Sequence, residues 1–162
     1  MIFPIKNTSS IAPAMLEDVP VLSDIHKKSF ARAWTDSEFQ SFLGDDGIDC
    51  LVLRRSNLRI KDKIIGFVLV RTVLDEAEIL TIAVDPVQRK TGAGELLMRE
   101  VMRKLYADRM AKLFLEVDEG NQPALLLYQK LGFEKVGERK GYYTSGKDSA
   151  ATALIMQVEL DG

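Results

Sequence analysis

The sequence predicts an α/β protein built on a mixed β-sheet, and three observations lead to this. Apolar β-branched runs alternate with segments of helical period in the order ααβββαβαββ, and residues 9–15 are a candidate additional first strand. One strand–helix–strand unit lies in the middle of the chain, as a parallel crossover requires. The 162 residues contain no repeat or linker, so we expect one domain spanning residues 1–162.

Helix signals and apolar runs define the first half of the chain. A first helix is predicted to begin after Asp18, a good N-cap residue, and it tolerates Pro20 in its first turn. A second helix is predicted from about Thr35 to Gly44. Strands are then expected at 50–54, 64–74 and 78–84.

The second half begins with a helix predicted from Ala93 to about Arg109, where apolar residues keep a helical period. A strand at 112–117 and a short helix at 122–130 follow, and Gly132 suits the end of that helix. The last two strands are expected at 133–136 and 152–160. The predicted fold is therefore a mixed sheet with helices on its crossovers.

Composition narrows the function classes. The net charge of −2 gives no surplus of basic residues for nucleic-acid binding, so nucleic acid is not expected as a partner. No apolar run approaches the length needed to span a membrane, so a membrane is not expected as a partner either. The single cysteine, Cys50, and the absence of a leader pattern favour a reducing cytoplasm. One cysteine and one histidine, His26, do not make a zinc site, so no metal is expected. Both residues fit core packing.

The segment VDPVQRKTGAGELL, residues 84–97, joins the third strand to the next helix. Its two glycines and its position before a helix offer backbone N–H groups to a pyrophosphate, and Arg89 and Lys90 add positive charge. An alternative explanation of the same residues is a turn in which the glycines serve only close packing. The spacing matches neither a P-loop nor a dinucleotide fingerprint.

A family resemblance separates these alternatives. Arg89, Gly92 and Gly94 fit the pattern R/Q-x-x-G-x-G/A, which resembles the coenzyme A loop of the GNAT acetyltransferases. LEVDEGNQPALLLYQKLGFEKVG, residues 115–137, resembles the second half of that fold. EILTIAVDP, AWTDSEF and GYY look like the RimI-type branch, which acetylates the N-terminal alanine of the eighteenth small-subunit ribosomal protein. The resemblance covers roughly residues 18–160, and Ala33 and Thr91 depart from the branch pattern.

The resemblance implies a GNAT-like acyl-CoA N-acyltransferase fold. Its sheet would be mixed, mostly antiparallel and splayed, with six or seven strands and about four helices. Acetyl-CoA would be the co-substrate, held by backbone groups of the third strand, by the loop and by one asparagine. These coenzyme-binding residues are Ile82, Ala83, Val84, Arg89, Lys90, Thr91, Gly92, Ala93, Gly94, Glu95 and Asn121. From the residues alone, Asn121 is equally a turn or N-cap residue before Pro123.

Two residues are candidates for acid–base catalysis. Glu116 interrupts an apolar strand on the face opposite Leu115 and Val117, where an ordinary exposed residue is the simpler explanation. Tyr128 lies on the short helix and is, by pattern alone, a core aromatic. The resemblance implies that Glu116 is the general base, acting directly or through a water, and Tyr128 the proton donor to the leaving thiolate.

The acceptor site is less defined by the sequence. The resemblance favours a peptide slot lined by Tyr142 and Tyr143, with Trp34 on the opposite wall, although Trp34 could simply pack between helices. The leading function is N-terminal acetylation of a ribosomal-protein peptide. A GNAT enzyme acting on a small-molecule amine or a lysine side chain is the alternative. A non-catalytic acyl-CoA sensor is a third, but it would need neither Glu116 nor Tyr128.

Overall fold

A computed structural model describes residues 8–57, 61–141 and 151–160 of the chain. These residues form seven strands and four α-helices in the order βααβββαβαββ, which confirms the predicted order and its additional first strand. The strands are β1 Thr8–Pro13, β2 Ile48–Ser56, β3 Lys63–Val73, β4 Glu76–Val84, β5 Lys112–Asp118, β6 Glu134–Lys140 and β7 Thr152–Glu159. The helices are α1 Val19–Ser29, α2 Asp36–Leu43, α3 Ala93–Ala107 and α4 Gln122–Lys130.

The strands form one seven-stranded mixed sheet in the order β1-β2-β3-β4-β5-β7-β6. The β1–β2, β2–β3, β5–β7 and β6–β7 pairs are antiparallel, whereas β4 and β5 are parallel and α3 connects them. The parallel pairing joins Glu76–Glu78 of β4 to Lys112–Phe114 of β5, at the beginning of both strands. The mixed, mostly antiparallel open sheet expected from the sequence is confirmed.

The chain divides into two compact units. The first comprises the described residues up to Arg71 together with Leu80–Val101, and the second comprises Thr72–Ile79 together with the described residues from Met102 onward. The expectation of one domain over residues 1–162 stays a prediction. No helix in the described parts of the chain is both long and apolar enough to cross a membrane.

In the first unit, α1 and α2 bury their apolar faces beside residues of β2 and β3. Leu22, Ile25, Phe39, Val52 and Phe67 belong to this buried cluster. The capping box that begins α2 explains its position, because the Thr35 hydroxyl accepts from the Glu38 N–H at 3.2 Å and the Glu38 carboxylate accepts from the Thr35 N–H at 2.7 Å. Gly44 follows the last residue of α2, as predicted.

The prediction for Asp18 is right in position and wrong in chemistry. Asp18 immediately precedes α1, but its side chain makes no capping hydrogen bond to that helix. Its carboxylate accepts instead from the Met15 N–H and from the Arg54 guanidinium, both at 2.8 Å. The side chain therefore ties the approach to α1 to strand β2, a contact that sequence spacing alone does not reveal.

In the second unit, β5 and β6 flank β7. Strand β6 continues to Lys140, so the expected end at residue 136 was too early. The segment EKVGERK is polar and mostly exposed, but its antiparallel pairing with β7 keeps it extended. Helix α4 spans the predicted residues, and Gly132 follows it with a φ of 93°, the left-handed conformation expected at this helix end.

Candidate active site

Asp85 fixes the place where β4 stops and the glycine loop begins. Its buried carboxylate accepts from the Val87 N–H at 3.2 Å, and its carbonyl accepts from the Gln88 N–H at 2.8 Å. Its own N–H donates to the Ile65 carbonyl at 2.8 Å. These bonds hold a single 3-10 turn, Pro86–Gln88, between the strand and the loop. The sequence predicted that this strand ends at residue 84, but it did not predict the hydrogen bond of the Asp85 carboxylate.

The loop itself is defined by two residues with positive φ. Lys90 has a φ of 63° and Gly92 a φ of 80°. A Cβ atom added to Gly92 would have no other atom within 4 Å, so this glycine is needed for its backbone conformation and not for close packing. The Thr91 hydroxyl donates to the Gln88 carbonyl at 2.6 Å and so closes the loop on the preceding turn.

Helix α3 begins directly after Gly92. The Leu96 N–H donates to the Gly92 carbonyl at 3.1 Å as the first turn of the helix closes. N–H groups in the first turn of an α-helix have no acceptor within the helix, and they lie at the positive end of its dipole. The side chains of Arg89 and Lys90 are exposed, and Arg89 donates to the Ser29 hydroxyl at 3.3 Å. The first unit thus presents an arrangement suited to a phosphate group.

Strand β4 leads into this loop with alternating burial. Thr81 and Ala83 are buried, whereas Ile82 and Val84 are half-buried. A Cβ atom on Gly66 of β3 would lie 3.0 Å from the Ala83 carbonyl oxygen, so a side chain at this position would be crowded against β4. Sequence reasoning missed Gly66, although an isolated glycine in a β-branched run is a signal of close backbone approach.

Glu116 lies on the exposed face of β5 in the second unit. Leu113, Leu115 and Val117 are buried, and Glu116 points to the opposite face with 40% of its side chain exposed. Its Oε2 atom accepts a hydrogen bond from Nη2 of Arg139 at 2.7 Å. The predicted alternation along β5 is confirmed, and the role of Glu116 as a base stays a prediction.

Tyr128 lies on α4 and is only 6% exposed. Its ring centroid is 5.7 Å from that of Phe133, and its carbonyl accepts from the Phe133 N–H at 2.9 Å. Burial raises the pKa of the phenol to about 12 because the phenolate would lose its hydration. Tyr128 is thus the core aromatic that the pattern indicated, and it remains protonated at neutral pH. Its role as proton donor stays a prediction.

Asn121 is the N-cap residue of α4. Its side-chain oxygen accepts from the Ala124 N–H at 3.3 Å, and its own N–H donates to the Asp118 carbonyl at 3.0 Å. The turn and N-cap interpretation is confirmed. The side-chain oxygen already accepts a hydrogen bond from the first turn of α4. A coenzyme contact of the kind the resemblance implies would therefore use the side-chain amide nitrogen. This contact stays a prediction.

Trp34 belongs to an aromatic cluster in the first unit. Its ring stacks on His26 with centroids 4.6 Å apart, and it lies 4.8 Å from the ring of Phe42. Nδ1 of His26 accepts from the Trp34 N–H at 3.1 Å, and burial lowers the pKa of this histidine. Packing between the helices is confirmed for Trp34, whereas its peptide contact stays a prediction. Tyr142 and Tyr143 lie outside the described residues.

Cys50 is buried, and burial raises the pKa of its thiol to about 12, so it carries no reactive thiolate at neutral pH. Across residues 8–57, 61–141 and 151–160, no three His, Cys, Asp or Glu side chains form a group that could hold a metal ion. The roles of Glu116, Tyr128 and the loop before α3 in catalysis and coenzyme binding stay predictions.

The chain matches known acetyltransferases along nearly its whole length. The sequence profile of the Acetyltransferase (GNAT) family matches residues 19–133. The ribosomal protein bS18-alanine N-acetyltransferase of Salmonella typhimurium is 32% identical over 154 residues, covering 95% of this chain and 98% of its own. The protein of the same name from Haemophilus influenzae is 38% identical over 141 residues, covering 86% and 90% respectively.

Solved structures of other proteins have the same architecture as this chain. The crystal structure of the ribosomal-protein-alanine N-acetyltransferase from Escherichia coli superposes with a TM-score of 0.85, 28% identity and 96% coverage of both chains. NAA60 of Arabidopsis thaliana, crystallised with acetyl-CoA, has the same fold with a TM-score of 0.83 and 22% identity, covering 96% of this chain and all of its own. The resemblance stated from the sequence is confirmed, and the chain belongs to the acetyltransferase (GNAT) family.

Proposed function

We propose that this protein transfers the acetyl group of acetyl-CoA to the N-terminal alanine of a small-subunit ribosomal protein. One observation carries the proposal. Relatives 32% and 38% identical, matched over at least 86% of this chain and 90% of their own, bear the same name, ribosomal protein bS18-alanine N-acetyltransferase. Such a substrate would place the reaction in the cytoplasm, in keeping with the single buried cysteine.

The first chemical task is to remove a proton from the amine. An α-amino group has an ordinary pKa of about 8, so a carboxylate that accepts its proton, directly or through a water, is a sufficient base. Glu116 is the candidate, because its carboxylate stands on the exposed face of β5 within a strand whose other face is buried. The neutral amine then attacks the thioester carbonyl carbon, so that a C–N bond forms and the C–S bond breaks.

The second task is to stabilise the departing thiolate. Tyr128 is protonated throughout the physiological range because burial raises the pKa of its phenol to about 12. A protonated phenol can donate a hydrogen bond to the sulfur as the C–S bond breaks, and it can pass a proton to it. The attacking nitrogen loses a second proton as the tetrahedral intermediate collapses to the amide, and this proton replaces the one that Tyr128 has given to the thiolate. The proton that Glu116 has taken from the ammonium group returns to solvent, so one proton is released in each turnover.

Backbone groups of β4, the loop before α3 and Asn121 are the coenzyme-binding groups that the family resemblance implies. We assign the pyrophosphate to the loop from Arg89 to Glu95, where the left-handed Gly92 precedes α3. We assign the pantetheine arm to backbone groups of Ile82, Ala83 and Val84. Asn121 would contribute its amide nitrogen. Trp34, Tyr142 and Tyr143 would contact the acceptor peptide.

A thiol-release assay tests the proposal. The full-length protein receives acetyl-CoA and peptides that are identical except for an initial alanine, serine or methionine, with free amino acids and a lysine-containing peptide blocked at its N-terminus as controls. We expect release of coenzyme A with the alanine peptide, and mass spectrometry should place the acetyl group on the α-nitrogen. The alanine peptide should have the highest kcat/KM.

Two results would redirect the assignment. Turnover of free amines or of the blocked lysine peptide alone would make the protein a GNAT enzyme with a different acceptor. Binding of acetyl-CoA without turnover of any amine would support the sensor alternative and contradict the roles of Glu116 and Tyr128.

A further inference from the structure

Arg139 reaches Glu116 across the whole width of strand β7. In the sheet register, Glu116 of β5 is opposite Ile155, and Ile155 is opposite Gly137 of β6. Arg139 lies two residues beyond Gly137, opposite Ala153. Residues that pair across strands, and residues two apart on one strand, share a face of the sheet. Glu116 and Arg139 therefore stand on the same face, with β7 between them.

The residues of β7 on this face differ in size. Ile155 pairs with Glu116, and its Cδ1 atom would lie 3.5 Å from a Cβ atom on Gly137. Ala153, which pairs with Arg139, carries only a methyl group. Nη2 of Arg139 lies 2.7 Å from Oε2 of Glu116 across this strand.

The contact makes the two carboxylate oxygens of Glu116 different from each other. Oε2 accepts from Arg139, and within the described parts of the chain this is the hydrogen bond found at the carboxylate. We infer that Arg139 is a positioning residue that anchors Oε2 so that Oε1 faces the proton to be removed. The inference rests on the proposed function, in which Glu116 is the base. It adds a residue outside the segments that led to the family assignment.

The solvent exposure of the two side chains makes it possible to distinguish a role of Arg139 in positioning Glu116 from a role in stabilising the fold. The Arg139 and Glu116 side chains are 57% and 40% exposed. Ion pairs at such exposure contribute little to stability, so loss of Arg139 should leave the fold intact. A base that loses its anchor samples orientations that are unproductive, and misplacement of a reacting group by about 1 Å can lower a rate by two orders of magnitude.

The test is a double-mutant cycle on kcat with saturating acetyl-CoA and alanine peptide. Glu116→Gln should lower kcat by about a hundredfold or more, and Arg139→Met by about tenfold. In the Glu116→Gln background, Arg139→Met should change kcat by less than about twofold, because the group it positions is already lost. Arg139→Lys keeps a donor and a charge, and it should restore kcat to within about threefold of the wild type.

Lys135→Met is the matched control, because it removes a cation that pairs with Glu138 on the same strand. It should leave kcat unchanged. The thermal unfolding midpoint and the Kd for acetyl-CoA should be unchanged in Arg139→Met and in Arg139→Lys.

Each contrary result has one meaning. If Glu116→Gln keeps wild-type kcat, the proposed base is wrong. If Glu116→Gln is impaired but Arg139→Met lowers kcat equally in both backgrounds, Arg139 acts independently of Glu116 and the inference is overturned. An Arg139→Met enzyme with a raised peptide KM and unchanged kcat would likewise overturn it, because Arg139 would then bind substrate. A lowered unfolding midpoint in both Arg139 variants would make Arg139 a structural residue and overturn it too.

Discussion

Gly66 of β3 lies so close to the Ala83 carbonyl of β4 that a side chain at position 66 would be crowded against the strand. A Cβ atom at position 66 would lie 3.0 Å from the Ala83 carbonyl oxygen and 3.3 Å from side-chain atoms of Leu97 and Val84. The backbone oxygen cannot rotate away as a flexible side chain could. A side chain at position 66 would therefore push against the strand that we assign to pantetheine binding.

Gly66→Ala should destabilise the protein by about 1–3 kcal/mol, because an extra methyl group must displace backbone atoms or core side chains. Denaturant unfolding followed by circular dichroism measures the change. Gly44→Ala is the matched control. Its added Cβ would lie 3.5 Å from the Gln40 carbonyl oxygen, an ordinary contact, at a φ of −86° that alanine accepts. Equal stability of the two variants would show that the approach at Gly66 is not limiting.

Local signals in the sequence were sufficient for most of the elements. Helix α4 was placed from the Asn121–Pro123 start and the Gly132 stop, and α2 from Thr35 and Gly44. Each of these signals acts within one turn of the helix it bounds, so the sequence carries it completely. Fold class followed, because the order of the elements and the crossover leave few topologies.

Signals that depend on distant partners were not accessible. The carboxylate of Asp18 accepts a hydrogen bond from Arg54 of β2, and the carboxylate of Glu116 accepts one from Arg139 of β6. Both partners are defined by sheet register, which no local pattern of charges reports. The end of β6 was misplaced for the same reason, since its polar residues are extended through pairing with β7. The family resemblance supplied the expected roles of Glu116 and Tyr128, but not the contact of Glu116 with Arg139.

Thr91→Val should loosen the loop before α3. The Thr91 hydroxyl donates to the Gln88 carbonyl at 2.6 Å, and this is the bond that closes the loop on the 3-10 turn. Loss of a hydrogen bond costs about 0.5–1.5 kcal/mol, and we expect the affinity for acetyl-CoA to fall by about three- to tenfold through disorder of the N–H groups that we assign to the pyrophosphate. Isothermal titration calorimetry measures the Kd.

Thr91→Ser is the control for that variant, because it keeps the hydroxyl and should bind acetyl-CoA as the wild type does. If valine also binds with wild-type affinity, the Thr91 hydroxyl does not order the pyrophosphate loop, and its departure from the branch pattern has no consequence for the coenzyme.

His26 should make stability depend on pH below its ordinary pKa of about 6.5. Burial lowers the pKa of His26 in the folded protein, and the nearby Glu38 carboxylate opposes this only in part. Between the folded and unfolded pKa values the unfolded chain binds more protons, so stability falls as the pH falls. Protonation also removes the Nδ1 acceptor of the Trp34 N–H. The slope should not exceed about 1.4 kcal/mol per pH unit.

Unfolding free energies of the wild type and His26→Phe between pH 7.5 and 5.5 measure this contribution. The variant keeps an aromatic ring beside Trp34 and Phe39 and has no titratable group, so its stability should vary less with pH than that of the wild type. Its absolute stability should be lower, because the Trp34 N–H loses its acceptor. Parallel pH dependences in the two proteins would assign the slope to other groups.

Tyr128→Phe separates the phenol's chemistry from its packing. The ring contact with Phe133 survives, because phenylalanine keeps the aromatic ring and loses only the hydroxyl. We therefore expect an unfolding free energy within about 1 kcal/mol of the wild type. With the proton donor gone, kcat should fall by about a hundredfold while the Kd for acetyl-CoA stays the same. Tyr106→Phe, at an exposed position on α3, is the matched control and should be fully active.

The dependence of kcat on pH is a second test of Tyr128 as the proton donor. Because the pKa of the Tyr128 phenol is raised to about 12, its deprotonation should produce no alkaline loss of activity up to about pH 10. A tyrosine with an ordinary pKa of about 10 would begin to lose its proton in that range. An alkaline decline centred below pH 10 that is present in the wild type and absent in Tyr128→Phe would show that the phenol titrates too early to be this buried group. A phenylalanine variant with wild-type kcat would remove Tyr128 from the reaction and leave Glu116 as its one acid–base group.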